Sequence, residues 1–148
     1  MKELQNGRSM IEMLGVLAII GVLSIGGLAG YTMAMNRHRA NTILDFASRC
    51  VVVAQTSGDG STLRTGPCAT ILGETLPAAI KTDTGVALSD DDIKVTLVPA
   101  TTKIGEALEN RSTDAIGITS GGVFTFKDAG AGMTEKAVSS GSGTEGGS

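Results

Sequence analysis

The chain reads as an α+β fold: one long N-terminal helix, half transmembrane and half amphipathic, packed on a small antiparallel sheet. Three observations predict it. Residues Met13 to Met35 carry no charged side chain. From Arg37 onward apolar residues recur at helical spacing. Beyond Cys68, short stretches alternate apolar and polar residues as strands do.

The uncharged run comes first. It covers 23 residues, MLGVLAIIGVLSIGGLAGYTMAM. At ~1.5 Å of helical rise per residue it reaches ~35 Å, enough to cross a hydrocarbon core of ~30 Å. Glu12 immediately precedes it. A lone carboxylate at the start of a membrane helix is expensive, and it marks a functional position with a partner. The plainer alternative is an interfacial Glu facing headgroups. Within the run, Gly15, Gly21, Gly26, Gly27 and Gly30 are dense for a helix. Gly26 and Gly30 form a G-x-x-x-G pair, which allows close helix approach. Each glycine also lowers helix propensity by up to ~1 kcal/mol. Gly21, Gly26, Gly27 and Gly30 are therefore candidates for either close packing or local flexibility.

The segment Gly7-Arg8-Ser9-Met10-Ile11-Glu12 and the apolar run behind it resemble the N-terminus of type IV prepilins and their pseudopilin relatives. In that family a short leader ends in Gly, cleavage follows it, and Glu is the fifth residue of the mature chain. The resemblance covers roughly residues 1–53. It implies a leader over 1–7, prepilin-peptidase cleavage between Gly7 and Arg8, and N-methylation at Arg8. Arg8 stands where the family usually has Phe or Met. Glu12 falls fifth and becomes a register device, meeting the free amine of a neighbouring subunit in a stack of staggered helices. A buried pair has a strong reason to form, since breaking one costs roughly 3–5 kcal/mol.

The resemblance further implies a transmembrane and filament-core helix over 8–36, a pilin-like globular domain over 37–138 and a tail over 139–148. The partners it implies are identical or homologous subunits in a helical filament, the prepilin peptidase and the inner-membrane assembly machinery. The precursor would reside in the bacterial inner membrane, and the product in an extracellular pilus or a periplasmic pseudopilus. Two alternatives stay open: a type II secretion pseudopilin, and an unprocessed membrane-anchored binding domain outside the cytoplasm.

Further along, Ala40, Ile43, Leu44, Ala47, Cys50, Val51 and Ala54 follow the i, i+3, i+4, i+7 rule. One helix is therefore expected from about Ser9 to Thr56, ended by Gly58-Asp59-Gly60. Phe46 and Val53 lie off the main stripe and suit either a wide core face or a neighbouring subunit. Cys50 and Cys68 are the two cysteines. An even count outside the cytoplasm suggests a disulfide, the alternative being two free core thiols. Short helical turns are expected at Ala69–Leu72 and Leu76–Ile80. Ile93 to Val98 alternates, with Ile93, Val95 and Leu97 inward and Pro99 ending the strand. Thr102 to Asn110 reads as a helix with Thr102 as cap. Ala115–Thr119 and Val123–Lys127 flank Ser120-Gly121-Gly122 as a hairpin, with Phe124 and Phe126 on one face. The final SSGSGTEGGS has linker composition, so the tail is expected to be flexible.

Charge and chemistry exclude most other classes. Net charge is −3 over 148 residues. Residues 1–50 hold five basic and three acidic side chains, and residues 51–148 hold seven and twelve. An acidic, aromatic-poor domain is not a nucleic-acid footprint. His38 is the only histidine, which leaves no Ser-His-Asp set and no zinc site. No enzyme and no cofactor are expected. Asp90-Asp91-Asp92 is the one acidic cluster, a candidate for Ca²⁺ and otherwise a solvated turn. Asn110-Arg111-Ser112 matches a glycosylation acceptor.

Overall fold

The computed structural model describes residues 3–56 and 60–138, with side chains from residue 9 onward. In chain order the elements are α1 (Glu3–Thr56), β1 (Thr62–Thr65), α2 (Cys68–Leu72), β2 (Ile80–Ser89), β3 (Asp92–Pro99), α3 (Thr102–Glu109), β4 (Ile116–Ile118), β5 (Val123–Phe126) and β6 (Thr134–Ala137). The layout is α+β. Two compact units divide it, Met1–Met35 and Asn36–Ser148.

In the first unit the helix begins at Glu3, six residues before the expected Ser9. Leu4 and Gln5 are good helix formers, and neither they nor Gly7 stop it. The helix is also unbroken across Gly21 to Gly30, so the glycines do not melt it in the single subunit. From Ser9 to Ala34 every residue is exposed.

In the second unit the distal part of α1 buries Ala40, Ile43, Phe46, Ala47, Cys50, Val51 and Ala54. At ~100° per residue these span an arc of about 140°. That width accounts for Phe46, which is 1% exposed within the subunit. Val53 packs partly against the same core, whereas Val52 is exposed. Residues 57–59, which hold most of the expected helix stop, lie outside the described residues.

The core faces a four-stranded antiparallel sheet of order β2-β3-β5-β4. Strict alternation in β3 buries Ile93, Val95 and Leu97, as the pattern predicts. Phe124 of β5 and Ile118 of β4 extend this inner face, and Ile104 and Leu108 of α3 belong to the same buried core. The β4–β5 hairpin turns through Thr119 to Gly122, where the Gly122 amide donates to Thr119. Gly122 has φ +83°, and a Cβ there would collide with the Leu97 carbonyl oxygen. Phe124 is fully buried and Phe126 is half-buried.

Several local expectations are corrected. Leu76–Ile80 forms a turn, not a helix: Pro77 accepts from the Ile80 amide at 3.0 Å, and Ala79 accepts from Ala100 at 2.8 Å. A residue before proline is pushed toward extended backbone, and the chain moves straight into β2. The cap of α3 is Thr101, whose side chain accepts from the Ile104 amide; Thr102 is the first helical residue.

The sheet also contains more than the sequence pattern announces. β2 pairs with β3 along its length, with register shifts between Ile80 and Thr82 and between Asp83 and Gly85. A separate two-stranded parallel ribbon joins β1 to β6, pairing Leu63 with Glu135 and Arg64 with Lys136. A bridge from Gly66 to Val86 ties this ribbon to β2. Gly85, at φ +86°, allows that approach, because a Cβ would overlap the Gly66 backbone. The expected flexible tail over 139–148 lies outside the described residues.

Candidate functional site

The candidate site is the first unit, the exposed apolar helix. Ser24 and Thr32 are the only hydroxyl side chains of the 13–35 run besides Tyr31. Ser24 donates to the Ile20 carbonyl at 2.7 Å and Thr32 to Ala29 at 2.9 Å. Both hydroxyls thus bond back to the helix, which suits an apolar surrounding. By length and composition this helix is capable of crossing a membrane.

Glu12 is exposed and immediately precedes the run. Gly26 lies 14 residues and Gly30 18 residues beyond it, about four and five turns on. Glu12, Gly26 and Gly30 therefore share one face, with Ile19 and Leu23 between them. Gly15 and Gly27 flank that face, whereas Gly21 is on the opposite side. A Cβ at any of these glycines would meet nothing within 4 Å, so none of them is required by packing inside the subunit. The arrangement offers a second helix a close approach along a stripe headed by a carboxylate. Gly7 and Arg8 lie inside α1, in its first two turns.

The staple lies in the second unit. Cys50 and Cys68 form a disulfide, with Cα atoms 5.5 Å apart, across 18 residues of sequence. Both are fully buried. Two further ties hold the same segment to the fold. Arg49 donates to both carboxylate oxygens of Glu74, at 2.9 and 3.0 Å. The hydrogen bond to Glu74, then its charge, holds the Arg49 guanidinium above its usual pKa. The Cys68 and Ala69 amides donate to the two carboxylate oxygens of Asp83, at 3.0 and 2.8 Å. Asp83 on β2 thereby caps α2, whose own preceding residue, Pro67, supplies no side-chain cap. Sequence reasoning missed Asp83 and Glu74, since neither lies within a helical turn of its partner.

The acidic triplet forms the β2–β3 turn. Ser89 pairs with Asp92, leaving Asp90 and Asp91 as the two turn residues. Asp90 takes φ +54°, a conformation that Asp tolerates better than most residues. Asp92 accepts from the Asp128 amide at 2.9 Å, and the Asp91 carbonyl accepts from Gly130 at 2.9 Å. The triplet therefore anchors the loop after β5. Among the described residues no three His, Cys, Asp or Glu side chains converge as a metal site.

Ser112 of the expected acceptor motif is also committed within the fold. It accepts from the Ile118 amide at 3.1 Å and donates to the Ile116 carbonyl at 3.4 Å. Thr113 adds bonds to the Ile116 amide and carbonyl. Together they cover the outer edge of β4, an edge otherwise open to strand addition.

No protein-family model, no curated protein and no solved structure matches this chain.

Proposed function

We propose that the chain is a structural subunit of a type IV pilus or a related filament. One observation carries the reading: Glu12 shares a helix face with Gly26 and Gly30 at the head of an apolar surface that its own fold leaves uncovered. A helix of this kind needs lipid or other helices around it. In the proposed sequence of events the helix first holds the precursor in the inner membrane. A prepilin peptidase then hydrolyses the Gly7–Arg8 bond and frees the amine of Arg8. During assembly the Glu12 carboxylate of one subunit pairs with the Arg8 amine of its neighbour. That pairing sets the stagger, since a subunit out of register leaves a charge buried and unpaired at roughly 3–5 kcal/mol. The glycine stripe brings the helix backbones close. The stapled domain forms the filament surface, and its three ties keep the segment after α1 fixed while the helix is transferred.

The test is Glu12→Gln, which keeps the side-chain shape and removes the charge. The variant is expected to be inserted and cleaved, and then to accumulate in membranes without filaments in the sheared fraction. Filaments at wild-type yield would overturn the register role.

A further inference from the structure

Arg37, His38 and Arg39 follow the uncharged run almost directly, and all three are exposed. No acidic residue occurs between Glu12 and Asp45. The residues one turn away run from Met33 to Asn36 and from Ala40 to Ile43, none of them acidic. The nearest acid along the helix, Asp45, is 3.3 Å from Arg49, which also holds Glu74. Among the described residues, neither Arg37 nor Arg39 has an ion-pair partner. Among the described residues nothing balances their charge.

The spacing of the three says what kind of partner fits. Consecutive helical residues turn by ~100°, so these side chains fan over about 200° of the circumference. A helix partner would be met by cations three or four residues apart on one face. A fan suits a partner that surrounds the helix. We propose that Arg37 and Arg39 bind the phosphates of anionic phospholipids in the leaflet where the span ends. Guanidinium takes phosphate through two parallel hydrogen bonds, and long side chains near a helix end reach the headgroup layer. Each cation at an anionic surface is expected to enrich the lipid about fivefold, and the pair about 25-fold.

The inference rests on the membrane-spanning part of the proposed function, not on filament assembly. The chain has no Trp, so Asn36→Trp supplies a clean reporter beside the pair, and Met35→Trp an independent second one. The full chain is placed in lipid nanodiscs of mixed phosphatidylglycerol and phosphatidylcholine, with one or the other lipid brominated. Stronger quenching by brominated phosphatidylglycerol is expected. That preference should fall in Arg37→Gln and in Arg39→Gln, and vanish in the double variant. Replacing Lys103, an exposed cation of α3, by Gln should leave it unchanged. Equal quenching by both lipids, or a preference surviving the double variant, would overturn the proposal. So would a reporter that responds to protein concentration and not to headgroup, which would assign the pair to a second copy. A reporter quenched by neither lipid would overturn the membrane reading along with it.

Discussion

Reducing the Cys50–Cys68 bridge is the perturbation with the most calculable consequence. Two electrons and two protons convert the disulfide to two thiols, and no heavy atom is lost. The bridge closes a loop of 18 residues. In the chain-entropy model a loop of that length restricts the unfolded chain by about 3 kcal/mol. Both sulfurs sit in the hydrophobic cluster that contains Ile93, Val95 and Leu97 of β3, so the loss should be felt in the sheet. Hydrogen exchange of the detergent-solubilised full chain, oxidised against reduced, reads it directly. Amides of β3 exchange through the largest openings, and about 3 kcal/mol corresponds to exchange about 100-fold faster. The β1 and α2 segments should lose at least as much protection. Less than fivefold acceleration in β3 would refute the entropic reasoning. Loss confined to β1 and α2 would refute the coupling of staple to sheet, leaving that segment as a separately unfolding piece.

Other perturbations test single contacts. Thr101→Ala removes the cap of α3 and should cost about 1 kcal/mol, seen as faster exchange within Thr102–Glu109. Gly122→Ala combines a positive φ with a collision against the Leu97 carbonyl; a loss of about 1–3 kcal/mol should appear as a lower denaturation midpoint. Phe124→Ala empties a fully buried position and should cost about 3–5 kcal/mol in the same assay. Asp83→Asn, which leaves the cap of α2 uncharged, should accelerate exchange at Cys68 and Ala69 while sparing β3.

Much of this fold was legible because its signals are local. The uncharged run, the α1 stripe and the alternation of β3 each need only neighbouring residues to be read. The bridge followed from two cysteines, one on the core face of α1. The shared face of Glu12, Gly26 and Gly30 is likewise a matter of spacing alone. What stayed hidden depends on distant partners. β2 reads Ile-Lys-Thr-Asp-Thr-Gly-Val-Ala-Leu-Ser, and two register shifts break its alternation. Its strand character comes from pairing with β3. β6 has four exposed residues and no apolar pattern, and it is a strand only because β1, some seventy residues earlier, lies beside it. The cap of α2 by Asp83 and the fork from Arg49 to Glu74 are invisible for the same reason. Phe46 was ambiguous because the width of a buried arc is set by what packs on it.

In the proposed function the apolar helix is processed after Gly7 and carried into a filament. Intact-mass measurement of the chain from membranes and from sheared surface material tests it most directly. The expected sheared species begins at Arg8 and lacks two hydrogens for the Cys50–Cys68 bridge, with one added methyl where the new amine is modified. A species beginning at Met1, found in membranes alone with the peptidase present, would contradict it and leave a membrane-anchored domain.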